Sequence, residues 1–261
     1  MAKIVAVTNQ KGGVGKTTTC VNLAASLVAT RRRVLLVDLD PQGNATMGSG
    51  IDKNAVDTSV YDVLVQGSPV TEVAQRSESG FDVLPANSDL TAAEVELLNV
   101  IGREFRLREA LAAVRDQYDY IIIDCPPSLN MLTVNALSAA DGVIIPMQCE
   151  YYALEGLTAL LDTIQRVQQV INPQLRIEGL LRTMYDPRNS LTNDVSRQLA
   201  DHFGDRVYRT VIPRNVRLAE APSFGQPVLA YDKNSKGAMA YLALAGEILR
   251  RHDQVVSGAA G

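Results

Sequence analysis

The class of this chain follows from residues 11–18, which read Lys11-Gly12-Gly13-Val14-Gly15-Lys16-Thr17-Thr18. An apolar run precedes this stretch at residues 4–7, and apolar residues recur at helical spacing after it. Glycines without a Cβ let a backbone wrap closely around an anion, and the first N–H groups of the following helix point into the same concavity. We therefore predict a strand, a phosphate-binding loop and a helix, in that order.

The loop carries three side chains that suit a nucleotide. Lys16 is placed to reach the β- and γ-phosphates, the Thr17 hydroxyl to ligate Mg²⁺, and Thr18 to lie near the α-phosphate. The strict pattern G-x-x-x-x-G-K-[ST] requires glycine at position 10, where this chain has Gln10, and the loop gains a second cation at Lys11. A glycine-rich turn that binds nothing is the alternative. Nucleotide binding is favoured, because the strand, the glycines and Lys16 all occur at the spacing that a phosphate-binding loop requires.

This loop resembles the deviant Walker A box of the ParA/MinD family of P-loop ATPases, and residues 7–11 are similar to the chromosomal ParA (Soj) branch. The resemblance spans residues 4–249. It implies an α/β fold with a mostly parallel central sheet and helices on both faces. It also implies one ATPase domain over residues 1–261, with a flexible tail from about residue 251. ATP and Mg²⁺ are the implied ligands, held at the loop by Lys11, Gly12, Gly13, Val14, Gly15, Lys16, Thr17 and Thr18.

The second lysine has a geometric explanation. Lys16 occupies its own triphosphate, so Lys11 on the same short loop can usefully reach the phosphates of a neighbouring subunit. In the family this signature lysine acts across an ATP-dependent homodimer. The resemblance therefore makes both Lys11 and Lys16 catalytic residues.

Two other apolar runs end in carboxylates. Residues 34–37 lead to Asp38 and Asp40, and residues 121–123 lead to Asp124. Ligands of parallel sheets collect at the carboxyl ends of strands. We expect Asp38 and Asp124 to contact Mg²⁺ through water, and Asp40, in the following turn, to orient the attacking water. An Asp-Pro turn with capping chemistry is the alternative at residues 38–41. The resemblance of residues 38–44 and 122–128 to the family's switch I and switch II supports the catalytic role of Asp40.

The final third supplies contacts for adenine and DNA by resemblance alone. We expect one strand over residues 179–186 and a second strand that ends within residues 211–218. Met184, Pro213 and Asn215 then line the adenine. Arg188 and Arg217 match positions that bind DNA phosphates, with surface salt bridges as the alternative. Residues 176–236 hold ten Lys/Arg against seven Asp/Glu, a balance of +3 in a chain of net charge −4. That balance permits a DNA-binding surface on an acidic protein.

Composition sets broader limits. A chain of 261 residues with 46% hydrophobic content can bury one large core. We expect buried thiols at Cys20, Cys125 and Cys149, and no membrane contact, because no apolar stretch approaches the about 20 residues of a membrane span. The expected location is cytoplasmic. Tyr151 and Tyr152 are expected to be structural aromatics, with a role at a dimer face left open.

The resemblance implies a partition ATPase. ATP joins two copies, the homodimer binds double-stranded DNA non-specifically on the nucleoid, and hydrolysis stimulated by a ParB-type partner releases it during chromosome or plasmid segregation. Positioning of another cargo is an open alternative. A MinD-like membrane ATPase is disfavoured because residues 250–261 lack a bulky apolar face. A relative of the nitrogenase iron protein is disfavoured because the three cysteines do not match a cluster shared between subunits.

Overall fold

A computed structural model describes residues 1–150 and 153–258, so the expectation for Tyr151 and Tyr152 lies outside the described residues. The strands form one eight-stranded sheet in the order β3-β4-β2-β5-β1-β6-β7-β8. They are β1 (Lys3–Val7), β2 (Val34–Asp38), β3 (Gln75–Arg76), β4 (Asp82–Leu84), β5 (Tyr120–Asp124), β6 (Gly142–Gln148), β7 (Arg176–Tyr185) and β8 (Val207–Pro213). Every pairing is parallel except β3 with β4. The predicted mostly parallel sheet is confirmed.

The helices lie on both faces of this sheet, as predicted. They are α1 (Lys16–Ala29), α2 (Asn44–Gly48), α3 (Val70–Val73), α4 (Leu90–Glu96), α5 (Arg106–Ala112), α6 (Met131–Ala139), α7 (Ala153–Val170), α8 (Ser190–Phe203), α9 (Val216–Glu220), α10 (Val228–Tyr231) and α11 (Lys236–Gly258). Short single turns occur at Leu97–Asn99 and Ala221–Phe224. None of the described helices combines the length and apolar character needed to span a bilayer.

Two apolar cores sandwich the sheet, because side chains alternate between the faces of a strand. In β5, Ile121 and Ile123 pack into the core that includes α6 and α7, whereas Ile122 packs into the core that includes α1 and α11. Central strands buried on both faces read as continuous apolar runs, and this is the pattern of β2 and β5. Cys20, Cys125 and Cys149 are buried free thiols, as expected.

The strand expected to end within residues 211–218 is β8, which ends at Pro213. Val216–Glu220 then forms helix α9. The Asn215 side chain accepts a hydrogen bond from the backbone N–H of Arg217 over 3.0 Å and so caps α9. Asparagine is a preferred residue at this position because its oxygen satisfies a free N–H group of the first turn. This cap ends the extended backbone.

Arg251 and His252 continue α11, and the flexibility expected from about residue 251 stays a prediction. His252 Nδ1 lies 2.8 Å from the Tyr120 hydroxyl, and Nε2 lies 3.0 Å from Glu178 Oε2. Glu178 also pairs with Lys3 Nζ at 2.7 Å. These contacts hold the end of the helix against the amino ends of the strands.

The outer strand β8 is irregular, and its backbone groups are partly satisfied by side chains. Its register with β7 shifts between Leu180 and Arg182. Glu247 of α11 accepts hydrogen bonds from the backbone N–H groups of Arg209 and Thr210 over 2.8 and 2.9 Å. Arg182 donates to the carbonyl of Tyr208 over 2.7 Å. A bulged edge covered by side chains is a poor template for another strand.

Candidate functional site

The loop between β1 and α1 forms an open cradle at the centre of the sheet. Gly13 and Gly15 adopt left-handed φ values of 73° and 86°, which side chains rarely tolerate. A Cβ at Gly12 or Gly13 would meet no atom within 4 Å, so the backbone there is open to a ligand. The Thr183 hydroxyl donates to the Val14 carbonyl over 2.8 Å and fixes the loop to β7.

Lys16 points into the loop rather than into solvent. It is 7% exposed, and its ammonium donates to the Lys11 carbonyl over 3.2 Å. Burial lowers the pKa of Lys16, while the charges of Asp124 and Asp40 act in the opposite sense. The two carboxylates are therefore close enough to influence the ammonium electrostatically. This is the environment of a lysine that a bound anion would stabilise.

Lys11 has a different environment, because its ammonium lies at the surface. Its Nζ is 2.6 Å from Glu150 Oε2, with 47% of the lysine side chain and 45% of the glutamate side chain exposed. The backbone N–H of Lys11 donates to Asn9 Oδ1 over 3.0 Å, and Asn9 in turn donates to the Pro146 carbonyl over 2.8 Å. The loop is thus fastened to β6 and to the residues that follow it.

Asp124 ends β5 directly beside the loop and retains a free acceptor. Its Oδ1 accepts a hydrogen bond from the Cys20 thiol over 3.4 Å, whereas Oδ2 is buried without a hydrogen-bond partner. Burial and the nearby charge of Asp38 raise the pKa of Asp124, and the Thr17 hydroxyl acts in the opposite sense. A buried carboxylate oxygen without a partner beside Thr17 suits a hydrated Mg²⁺ ion. The residues present therefore fit the cation.

Asp38 is fully buried and has several hydrogen-bond donors. Its Oδ2 accepts from both the backbone N–H and the hydroxyl of Thr46, each over 2.8 Å, and Oδ1 accepts from the N–H of Asp40 over 3.1 Å. The Thr46 hydroxyl also accepts from the N–H of Ala86 over 2.9 Å. Burial raises the pKa of Asp38. In this structure Asp38 braces the turn after β2, and its contact with Mg²⁺ stays a prediction.

Asp40 lies in that turn and is 9% exposed. Its Oδ1 accepts from the N–H of Gln42 over 3.0 Å. The Gln42 carbonyl accepts from Lys53 Nζ over 2.5 Å, which ties the turn to the segment after α2. The structure thus brings Asp38, Asp40 and Asp124 to the edge of the sheet that carries Lys16.

The three residues predicted to line adenine lie at the same edge. At the ends of β7 and β8, Tyr185 pairs with Pro213. Met184 directly precedes Tyr185 on β7, and Arg214 directly follows Pro213. Met184 has a left-handed φ of 49°, which is uncommon for a residue with a side chain. Asn215 uses its oxygen to cap α9. Their contact with adenine stays a prediction.

The two arginines predicted to bind DNA are engaged in surface ion pairs. Arg188 Nη2 lies 2.8 Å from Asp186 Oδ2, with 88% of the arginine side chain exposed. Arg217 Nη1 lies 2.8 Å from Glu220 Oε2, and its Nε lies 3.3 Å from Asp232 Oδ2. Exposed pairs of this kind contribute little to stability, so a phosphate can replace the carboxylate partner at low cost.

Sequence reasoning missed the neighbours that hold these groups in place. Glu150 pairs with Lys11, Thr46 braces Asp38, Cys20 contacts Asp124 and Thr183 fixes the loop. One signal was present for Glu150, since it follows a buried strand at the edge where Asp124 lies. The contacts of Cys20 and Thr183 join segments distant along the chain, and Thr46 reaches Asp38 from eight residues away across a turn, so no local pattern indicates any of the three.

Comparison with known proteins places the chain in a family. The model of an AAA domain matches residues 2–177. The sporulation initiation inhibitor protein Soj of Bacillus subtilis is 57% identical over 95% of this chain and 98% of that protein. The chromosome partitioning protein ParA of Caulobacter vibrioides is 54% identical over 95% of this chain and 94% of that protein.

Solved structures agree with this assignment. A Mycobacterium smegmatis protein named cobyrinic acid a,c-diamide synthase, with bound ADP and magnesium, superimposes with a TM-score of 0.86 at 43% identity, over 97% of this chain and 96% of that chain. The cell division ATPase MinD of Pyrococcus furiosus gives a TM-score of 0.78 at 26% identity, over 96% and 99%. The chain therefore belongs to the ParA/MinD family of P-loop ATPases, in its Soj branch.

Proposed function

We propose that this chain is the ATPase of a DNA partition system, in which ATP joins two copies that bind DNA without sequence preference. One observation carries the proposal. The two lysines of a single loop face different environments: Lys16 is buried in the cradle, whereas the Lys11 ammonium is exposed at the surface. If Lys16 binds the chain's own triphosphate and Lys11 binds that of a neighbouring copy, the first must lie inside the cradle and the second at the surface. The names of the Soj and ParA relatives support the same function.

ATP hydrolysis follows from the residues at the cradle. The backbone around Gly12 and Gly13 holds the phosphates, and Lys16 offsets their charge. Thr17 and Asp124 would hold Mg²⁺, which when bound neutralises the charge that develops on the phosphates. Asp40 orients the attacking water from the turn that Asp38 braces. Adenine packs against Met184 and Pro213, where Asn215 reads its edge.

DNA binding is assigned to Arg188 and Arg217, which are exposed and held only by surface ion pairs. A few phosphate contacts from one acidic chain give weak binding. Two copies joined by ATP double those contacts, and the second set then binds at a high effective concentration. The nucleotide thereby switches DNA affinity without a new kind of contact.

The cycle needs a partner that stimulates hydrolysis, and we assign this role to a ParB-type DNA-binding protein. The chain then resides in the cytoplasm, on the nucleoid. The Mycobacterium smegmatis protein is named for another activity, but the identity to Soj and ParA is higher, at 57% and 54% against 43%. Partition is therefore the function we adopt. Vesicle flotation of the ATP-loaded protein tests the MinD-like alternative, and flotation would favour it.

The test is DNA binding by the full chain with ATP, with ADP and without nucleotide, over a range of salt concentrations. The parent should bind only with ATP, and Lys16→Ala should not bind. The double variant Arg188→Ala/Arg217→Ala should dimerise with ATP but lose most of its salt-sensitive DNA affinity.

The matched control replaces two other exposed, ion-paired arginines. Arg33 and Arg76 have side chains 61% and 65% exposed and pair with Asp119 and Asp82. The variant Arg33→Ala/Arg76→Ala should bind DNA as the parent does. Equal losses in both double variants would show that total charge, not the assigned surface, determines binding.

A further inference from the structure

A cavity of about 720 Å³ opens at the amino ends of the central strands, the edge of the sheet opposite the nucleotide cradle. Residues from the starts of β1, β5 and β7 and from the end of α11 line it, among them Lys3, Tyr120, Ile177 and His252. Sites for small molecules occupy cavities of about 300–1,000 Å³. The cavity is therefore large enough for a metabolite, and no step of the ATPase cycle uses it.

Ion pairs and hydrogen bonds hold the walls of this cavity in place. Lys3 and His252 both contact the carboxylate of Glu178, at 2.7 and 3.0 Å. Arg115 Nη2 lies 2.8 and 2.7 Å from the two carboxylate oxygens of Asp141. The cavity thus has its shape without a ligand, and binding sites for small molecules are usually formed in advance in this way.

The side chains that line the cavity carry a positive balance. With His252 neutral the balance is +1, in a chain of net charge −4. The charged side chains are Lys3, Arg32, Arg115, Arg176 and Arg251 against Asp119, Asp141, Glu178 and Asp253. Asp119 pairs with Arg33 at 3.1 Å, and Asp141 and Glu178 have the partners named above. Because these carboxylates are already neutralised by cations, the cavity favours an anionic ligand.

Two of the cations are available to such a ligand. Arg32, just before β2, and Arg176, the first residue of β7, are both exposed, and neither guanidinium forms a hydrogen bond or an ion pair within the described part of the chain. Burial raises the pKa of Tyr120 to about 12, and the charge of Arg32 acts in the opposite sense. Arg32 is therefore close enough to influence a hydroxyl of the cavity wall. Arginine stays charged and presents forked donors that match phosphate oxygens.

The spacing of the two arginines favours an elongated ligand. Arg32 precedes β2 and Arg176 begins β7, and β5, β1 and β6 lie between these two strands in the sheet. Four strand spacings separate the two backbones by about 19 Å. A single phosphate would reach both guanidinium groups only if both side chains were fully extended toward it. A row of phosphates spans the same gap more readily.

The shape and position of the cavity favour a small molecule over DNA. The cavity is concave, and Ile177 and Leu249 add apolar surface that suits the organic part of a metabolite. Arg188 and Arg217, the arginines assigned to DNA, follow the carboxyl ends of β7 and β8 and so lie at the other edge of the sheet. A duplex bound there does not extend into this cavity.

We propose that the cavity at the amino ends of the strands binds a small metabolite with two or more phosphate groups, held between Arg32 and Arg176. The site is separate from the nucleotide cradle. The inference goes beyond the proposed function and does not depend on it.

The test is isothermal titration calorimetry of the full chain saturated with ADP, which fills the cradle. Inorganic phosphate, pyrophosphate and tripolyphosphate are the titrants, and affinity should rise with the length of the phosphate chain. Arg32→Gln and Arg176→Gln should each lower the affinity for tripolyphosphate about tenfold or more, because each removes a charged hydrogen-bond donor. Neither variant should change the affinity for ADP.

The matched control is Arg197→Gln. Arg197 lies on α8, its side chain is 70% exposed, and it is not among the residues that line the cavity. The substitution removes the same charge from the chain. Arg197→Gln should therefore bind tripolyphosphate as the parent does.

Three results would overturn the proposal. Equal affinity for tripolyphosphate in the parent, Arg32→Gln and Arg176→Gln would show that these arginines do not hold it. Release of a fluorescent ADP analogue by tripolyphosphate would show that the titrant enters the cradle instead. Loss of DNA binding in Arg32→Gln/Arg176→Gln would assign the two arginines to DNA. Failure of the parent to hydrolyse ATP or to bind DNA would contradict the proposed function but would leave the calorimetric result unaffected.

Discussion

The ammonium of Lys11 lies 2.6 Å from the carboxylate of Glu150 in the same chain. This pair holds the second lysine of the loop on its own subunit. Dimerisation by the proposed scheme requires Lys11 to leave Glu150 and reach the phosphates of the neighbour. The pair therefore opposes the dimer by a small amount, since exposed ion pairs contribute about 0–1 kcal/mol.

The variant Glu150→Gln should dimerise more readily than the parent. Loss of an opposing contact of at most about 1 kcal/mol lowers the ATP concentration for half-maximal dimerisation by at most about fivefold. Sedimentation velocity with ATP at several concentrations measures the shift. Lys11→Ala is the control and should remain monomeric. Weaker dimerisation of Glu150→Gln would mean that Glu150 serves the dimer rather than the monomer.

Lys16→Met should stabilise the nucleotide-free protein while abolishing its stabilisation by ATP. Burial lowers the pKa of Lys16 in the folded state. At a pH below this lowered pKa the folded protein carries the buried ammonium, which reduces the free energy of unfolding. This loss of stability disappears as the pH rises toward the pKa that Lys16 has in the unfolded state. The Tm without nucleotide should therefore rise; in a domain of this size each change of about 1 kcal/mol moves the Tm by about 2–4 °C. Differential scanning calorimetry measures it. Lys233→Met, at an exposed position, should leave both properties unchanged.

Thr46→Val should destabilise the protein and slow hydrolysis. The substitution keeps the shape of the side chain but removes the hydroxyl that bonds both Asp38 and the Ala86 N–H. Leaving a buried carboxylate with fewer donors costs about 2–3 kcal/mol, which urea unfolding at neutral pH detects. Thr91→Val, on the exposed side of α4, is the control. A stable Thr46→Val variant would show that Asp38 does not need this donor.

Asp124→Asn should flatten the dependence of stability on pH without nucleotide. Burial raises the pKa values of Asp124 and Asp38, and the charges of neighbouring carboxylates raise them further, so the folded state binds protons that the unfolded state releases. Stability therefore falls as the pH rises through the raised values and is regained on acidification. Urea unfolding from about pH 5 to about pH 9 should show this slope in the parent and a weaker slope in Asp124→Asn. Equal slopes in the parent and in Asp124→Asn would show that groups other than Asp124 cause the pH dependence of stability.

The sequence was sufficient for the class of the fold and for the positions of the acidic side chains. Continuous apolar runs that end in Asp38 and Asp124 identified buried strands, and the sheet brings these residues to one edge as expected. The contacts that orient these two carboxylates could not be predicted from apolar patterns in the sequence. Thr46 and Cys20 reach their carboxylates through tertiary packing, and neither residue type signals such a contact locally. Helix α9, which begins after β8 ends at Pro213, was not predicted either, because its N-cap depends on the side chain of Asn215 rather than on an apolar pattern.

The covered edge of β8 limits how copies of this chain can associate. The N–H groups of Arg209 and Thr210 are already bound to Glu247, so an incoming strand finds these two donors occupied. Growth by successive strand addition, the route to fibres, is therefore hindered at this edge. The dimer that we propose uses other surfaces, which ATP controls, and its assembly is therefore reversible.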